Sequence, residues 1–141
     1  HLINLAFFDG NLLTLQVAQR RSLEQVARAV KRLTLEPAEF FGVDAGRLDV
    51  GAQADLVLID PEALRGYDTD ASRRMVYRDI FEHEQLVNRS DGVVAGVFIA
   101  GEQVWDGRDI TPALGTRRLG RPLTADRCAT LGGVIRTGRL P

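Results

Sequence analysis

Cysteine is all but missing from this chain: the 141 residues hold one, Cys128. A lone thiol excludes an intrachain disulfide and any zinc site built from several cysteines. It reads as an incidental thiol. Histidine is nearly as scarce. His1 and His83 are far apart in the sequence, and neither sits in an H-x-H or H-E-x-x-H arrangement. No apolar run reaches the ~20 residues of a membrane-spanning helix, so no membrane partner is expected. The opening residues His1-Leu2-Ile3-Asn4 have neither a methionine nor the charged n-region of a signal peptide. The expectation is a chain cut from something longer, in a cytoplasmic setting. Ser22 and Ser90 lack a neighbouring histidine and a G-x-S-x-G context, so no serine nucleophile is indicated. Gly92, Gly96 and Gly101 are spaced around a hairpin and do not lead from a strand into a helix, so they imply no phosphate cradle.

What is present is ordinary for a soluble domain. Apolar residues at 45% and charged ones at 26% argue against wholesale disorder and allow one domain with a sizeable core. The net charge of −1 conceals an uneven distribution. From Gly115 to Pro141 there are six arginines against one acid, Asp126, which leaves about −6 on the rest. No aromatics interleave with those arginines, so a solvated tail is expected, with no nucleic-acid partner.

The organising stretch is Gly46-Arg47-Leu48-Asp49-Val50-Gly51-Ala52-Gln53-Ala54-Asp55-Leu56-Val57-Leu58-Ile59-Asp60. Its apolar run from Leu56 to Ile59, closed by Asp60-Pro61, predicts a strand buried on both faces. The chain before it reads as helical. Leu12, Leu13, Leu15, Val17 and Ala18 follow the turn-like Asp9-Gly10-Asn11. Ser22-Leu23-Glu24-Gln25 fits a capping box, and Leu23, Val26, Ala27, Val30 and Leu33 predict one buried helical stripe. Pro37-Ala38-Glu39-Phe40-Phe41 reads as a short helix stopped by Gly42, with both phenylalanines as core anchors.

After the seam the pattern turns to strand and loop. Pro61 to Arg65 suits a helical turn, and Tyr67 to Arg74 suits an exposed loop. Val93 to Ile99 and Gln103 to Trp105 predict a hairpin turning at Ala100-Gly101-Glu102. Chemistry-bearing candidates are few. Glu82-His83-Glu84 places two carboxylates beside an imidazole, but adjacent side chains diverge on a helix or a strand, so a solvated cluster is expected. Asp55 and Asp60 flank an apolar run, where strand-end solvation or a hydrogen bond to a turn explains them.

The order of segments carries a resemblance. It runs from the capped helix Ser22 to Leu33, through Thr34-Leu35-Glu36-Pro37-Ala38-Glu39-Phe40-Phe41-Gly42, to the Gly46–Asp60 motif. Leu86 to Asp91, Val94 to Val104 and Leu119-Gly120-Arg121-Pro122-Leu123 come next. Over roughly residues 1 to 125 this resembles the C-terminal end of the N-acyl-D-amino-acid deacylases (D-aminoacylase-like), a group of the amidohydrolase superfamily. The Gly-x-Leu-x-x-Gly-x-x-Ala-Asp-Leu-Val motif is specific for the superfamily alone, and the full order favours the deacylase branch.

The resemblance implies an α+β fragment. Residues 1–45 would be the last helices of a (β/α)8 barrel, and 46–125 the C-terminal strands and connecting loop of a small composite β-sandwich domain. Residues 126–141 would form a poorly ordered tail. It further implies a parent enzyme in which a divalent metal, usually zinc, activates water against the amide of an N-acyl amino acid. That family's H-x-H pair, later metal ligands and last-strand aspartate have no counterpart in this sequence. No catalytic or metal residue is therefore assigned. His1 belongs to a segment resembling the residues just after that aspartate, and so would line the substrate pocket. The expected partners are the N-terminal part of the same chain and, through exposed sheet edges, further copies. The competing reading is a non-enzymatic α+β interaction module that has kept the β-domain.

Overall fold

Three helices open the structure because the chain puts a capping or stop residue at nearly every turn of direction. The computed structural model describes residues 9–124. His1, Cys128 and the expected tail over 126–141 lie outside the described residues. Helix α1 spans Gly10–Gln19, α2 Leu23–Leu33 and α3 Leu35–Phe41. Ser22 caps α2, its hydroxyl accepting from the Gln25 N–H at 3.2 Å. Only this half of the expected capping box forms. The Ser22 N–H already donates to the Ala18 carbonyl at 3.3 Å, which leaves no donor for a reciprocal arm. Glu24 in the first turn and Lys31 and Arg32 in the last complement the α2 macrodipole. Gly42 ends α3 in the left-handed region at φ 66°, as its position after two phenylalanines suggested.

The seam strand β1 covers Leu56–Ile59, and a short helix α4, Pro61–Arg65, comes directly after it. Asp60 makes that junction, its Oδ1 accepting from the Glu62 and Ala63 N–H groups at 2.8 and 3.0 Å. Strands β2 (Arg73–Arg78) and β3 (His83–Asn88) form an antiparallel hairpin across a 3-10 turn at Asp79–Phe81. Strands β4 (Val94–Ile99) and β5 (Glu102–Trp105) join β1 in an antiparallel sheet of order β1-β4-β5. The β4–β5 turn has two residues, Ala100 and Gly101, at φ 51° and 81°, the backbone a tight hairpin requires. Asp55 Oδ1 accepts from the Ala100 N–H at 2.8 Å, so this aspartate holds the turn. The result is a mixed α+β arrangement of helices followed by two small sheets.

The core lies where α1 crosses the start of the β region. Leu64, Tyr67 and Val93 are buried together, and Leu12, Leu13, Leu15, Ile59 and Ala63 pack against them. Two glutamines one turn apart on α1 bind this packing to α4. Buried Gln16 donates from Nε2 to the carbonyls of Leu64 (2.9 Å) and Tyr67 (2.7 Å), with Arg65 O at 3.5 Å. Gln19 Nε2 reaches Pro61 O at 2.7 Å. The Leu64 carbonyl at the end of α4 thus accepts from Gln16 as well as from the Tyr67 N–H.

Four burial expectations are corrected. β1 is an edge strand, and Val57 and Leu58 are 57% and 51% exposed, because among the described residues only β4 flanks it. On α2, Ala29 is buried and Val26 and Leu33 half-buried, while Leu23, Ala27 and Val30 are exposed. The helix turns one face to α1 and α3 and leaves the other open. Phe40 and Phe41 stack edge-on at 5.0 Å but are 81% and 65% exposed, so within the described residues they anchor no core. Tyr67, expected in an exposed loop, is buried.

Candidate functional site

The chemically richest place among the described residues is a buried polar junction of Asp9, Tyr67, Thr69 and Asn88. Three elements build it. Asp9 immediately precedes α1 and is buried, yet its side chain makes no cap hydrogen bond to that helix. Its Oδ2 instead accepts from the Tyr67 hydroxyl at 3.1 Å and from Asn88 Nδ2 at 2.6 Å. Tyr67 lies just past α4, and its N–H closes that helix on Leu64 O at 3.2 Å. This leaves the ring in the apolar cluster and the hydroxyl at its polar rim, the amphipathic use to which a buried tyrosine is suited. Asn88 ends β3 and also donates from Nδ2 to Thr69 Oγ1 at 3.2 Å. Its Oδ1 is buried and has no hydrogen-bond partner among the described residues.

The electrostatics stem from this geometry. Burial raises the Tyr67 phenol above its usual range. The Thr69 hydroxyl opposes that shift, and the Asp9 carboxylate adds to it by hydrogen bond and by charge. The positive end of α1 lies beside the Asp9 carboxylate and offsets part of the cost of burying it. Neutral donors and a helix end hold this acid, and it is in no ion pair among the described residues. Such an arrangement can lock elements together.

The residues singled out in the sequence go elsewhere. His83 begins β3, half-buried, with its ring stacked on Phe81 at 6.1 Å and Nδ1 3.1 Å from Glu84 O. Glu82 and Glu84 are both exposed. Asn88 lies five residues further along β3, an odd separation that puts it on the opposite face from His83. Asp55 and Asp60 are taken up by the hairpin turn and the α4 cap. A cleft of about 610 Å³ is lined by Gly42, Val43, Asp44, Arg47 and residues 121–124. Its charges are balanced. Arg47 meets Asp44 at 2.6 Å and Asp49 at 3.2 Å, and Arg121 lies 3.9 Å from Asp44. Among the described residues no three His, Cys, Asp or Glu side chains gather closely enough to hold a metal ion. These residues therefore do not fit the zinc that the resemblance implies.

The sequence gives no sign of the polar junction. Asp9-Gly10-Asn11 reads as a turn before a helix, which marks Asp9 as a helix-start residue but says nothing of Tyr67 or Asn88. Those partners are 58 and 79 positions away.

Comparison with known proteins now defines the class. The amidohydrolase family profile matches residues 9–104, and the chain belongs to that family. Uncharacterized proteins of Mycobacterium tuberculosis and Mycobacterium bovis are each 35% identical over 116 residues, covering 76% of this chain and 18% of the relative. A Geobacillus thermodenitrificans protein named dihydroorotase is 30% identical over 87 residues, covering 62% of this chain and 19% of its own length. The chain thus spans less than a fifth of the curated relatives it matches. No solved structure matches.

Proposed function

We propose that the full-length protein is a zinc-dependent hydrolase of N-acyl-D-amino acids, and that the described residues scaffold its site without performing the chemistry. The observation that carries this is the amidohydrolase match over residues 9–104, to which the order of segments adds the deacylase branch. In this reading residues 1–45 complete a (β/α)8 barrel and 46–125 contribute strands to a small composite β-domain. The metal would be held by groups outside residues 9–124, and His1 would line the substrate pocket. The exposed edge strand β1 and the open face carrying Phe40 and Phe41 support a body completed by the rest of the polypeptide.

The test is to assay the full-length protein, metal-stripped and zinc-loaded, on N-acyl-D- and N-acyl-L-amino acids. Zinc-restored release of the free D-amino acid is the expected result. Absence of hydrolysis on every N-acyl amino acid would overturn the proposal. The Geobacillus relative's name favours one second reading, so dihydroorotase activity is measured alongside, and that activity alone would transfer the assignment.

A further inference from the structure

We propose that the cleft between α1 and α2 binds a small molecule carrying two phosphate groups. Its volume is about 320 Å³, within the range of small-molecule sites. Ala18 and Ala29 are buried at its base, where two small side chains leave room between the helices. Arg21, Arg28 and Arg32 line it with Gln25 among them, and no acid among the described residues does.

Helical spacing brings these cations together. Gln25, Arg28 and Arg32 are three and four residues apart and share one face of α2, and Arg21 precedes that face by one turn. Leu23, Ala27 and Val30 occupy the opposite side of the helix. The rest of the polypeptide can cover that apolar side and leave the cleft open. Glu24 meets Arg28 at 2.6 Å and Glu36 lies 4.0 Å from Arg32, but neither acid lines the cleft. Both pairs are solvent-exposed, which makes them weak competitors for an incoming anion. Arg21 is in no ion pair among the described residues.

Charge and spacing define the ligand class. Three guanidiniums and the positive end of α2 present about +3.5, and two phosphate monoesters carry about −3 to −4 at neutral pH. The rise of a helix separates Arg28 from Arg32 by about 6 Å and from Arg21 by about 10 Å, so the two anionic groups sit apart on one molecule. Guanidinium forks match phosphate oxygens two at a time. Val17 and the two alanines suit a short carbon chain between the phosphates.

The test is calorimetric titration of the full-length protein with hexane-1,6-diyl bisphosphate, with inorganic phosphate as the single-anion comparison. Saturable binding is expected, about tenfold or more tighter than inorganic phosphate and weakened about tenfold between low and high salt. The double variant Arg21→Gln, Arg28→Gln should bind the bisphosphate about tenfold or more weakly. Lys31→Gln, which removes a cation outside the cleft, should leave affinity within about twofold. Val17→Glu keeps all three arginines, replaces a half-exposed side chain and puts a carboxylate in the cleft, so it should abolish binding. These substitutions are at exposed positions, so Tm should stay near that of the wild type. Absence of saturable binding to the wild type, equal affinity for inorganic phosphate, or wild-type affinity in both cleft variants would overturn the proposal.

Discussion

Gln16 donates to two interior carbonyls from 48 and 51 residues earlier in the chain: Leu64 O, which the Tyr67 N–H also reaches, and Tyr67 O. Gln16→Leu fills similar space but strands the Tyr67 carbonyl in the interior and leaves the Leu64 carbonyl to the Tyr67 N–H alone, which should cost about 1–3 kcal/mol. Urea unfolding of the variant should show a lower midpoint at unchanged slope, and an unmoved midpoint would count against this account. Tyr67 makes a prediction of opposite character, visible only in alkali. Its folded-state phenol is raised above the ordinary value of 10.0, chiefly by burial, so the folded protein holds that proton longer than the unfolded chain does. The contribution is complete below pH 10.0 and is lost as pH rises through the raised folded value. Tyr67→Phe should flatten the alkaline limb of a stability–pH curve, and an identical limb in both proteins would refute it. At this scale little is legible in the sequence. Asp60 can be assigned to a local turn because its partners are two and three residues on, although Asp55 bonds a hairpin turn 45 positions away. Asp9, Gln16 and Asn88 cannot, because a polar residue's distant partner leaves no mark on its own neighbourhood.

Elements are legible where the signal is local. Ser22 and the turn-ending glycine predict the α2 start and the α3 stop, and Ala100-Gly101 predicts the β4–β5 turn. Ser22→Ala should remove the one side-chain cap of α2 and cost about 1 kcal/mol by thermal or urea unfolding. Gly46→Ala should cost more. Gly46 sits at φ +78°, and an added Cβ would lie 2.5 Å from the Thr34 carbonyl oxygen, a backbone atom at the α2–α3 corner that cannot swing away. A Gly46→Ala protein at least as stable as Ser22→Ala would show that this corner can yield. The β2–β3 hairpin escapes sequence reasoning for a physical reason. Met75, Val76 and Tyr77 are consecutive apolar residues between arginines, so β2 has no period of two to read, and cross-strand pairing alone defines it. Burial on α2, α3 and β1 departs from expectation because hydrophobicity tells that a face wants cover, not which part of the polypeptide provides it.

At the scale of the whole chain, apolar faces remain open. Leu23, Phe40, Phe41, Leu48, Val57 and Ile80 are all exposed, and β1 and both strands of the β2–β3 hairpin present free edges among the described residues. Produced alone, the 141-residue chain should self-associate at micromolar concentration in size-exclusion chromatography with light scattering, and Phe40→Glu should reduce the associated fraction. A monodisperse monomer at all concentrations would contradict this. The hydrogen bond between Asn88 and Asp9 has one more consequence, which concerns time. Asp9 leaves the ribosome 79 residues before Asn88, so at about 5–20 residues per second it waits ~4–16 s for its partner. Leu64 and Tyr67 emerge before Asn88, but Val93, which completes the cluster α1 lies against, follows it. The nascent chain therefore passes through an interval in which the leucines of α1 are available to chaperones, and Val93 ends it.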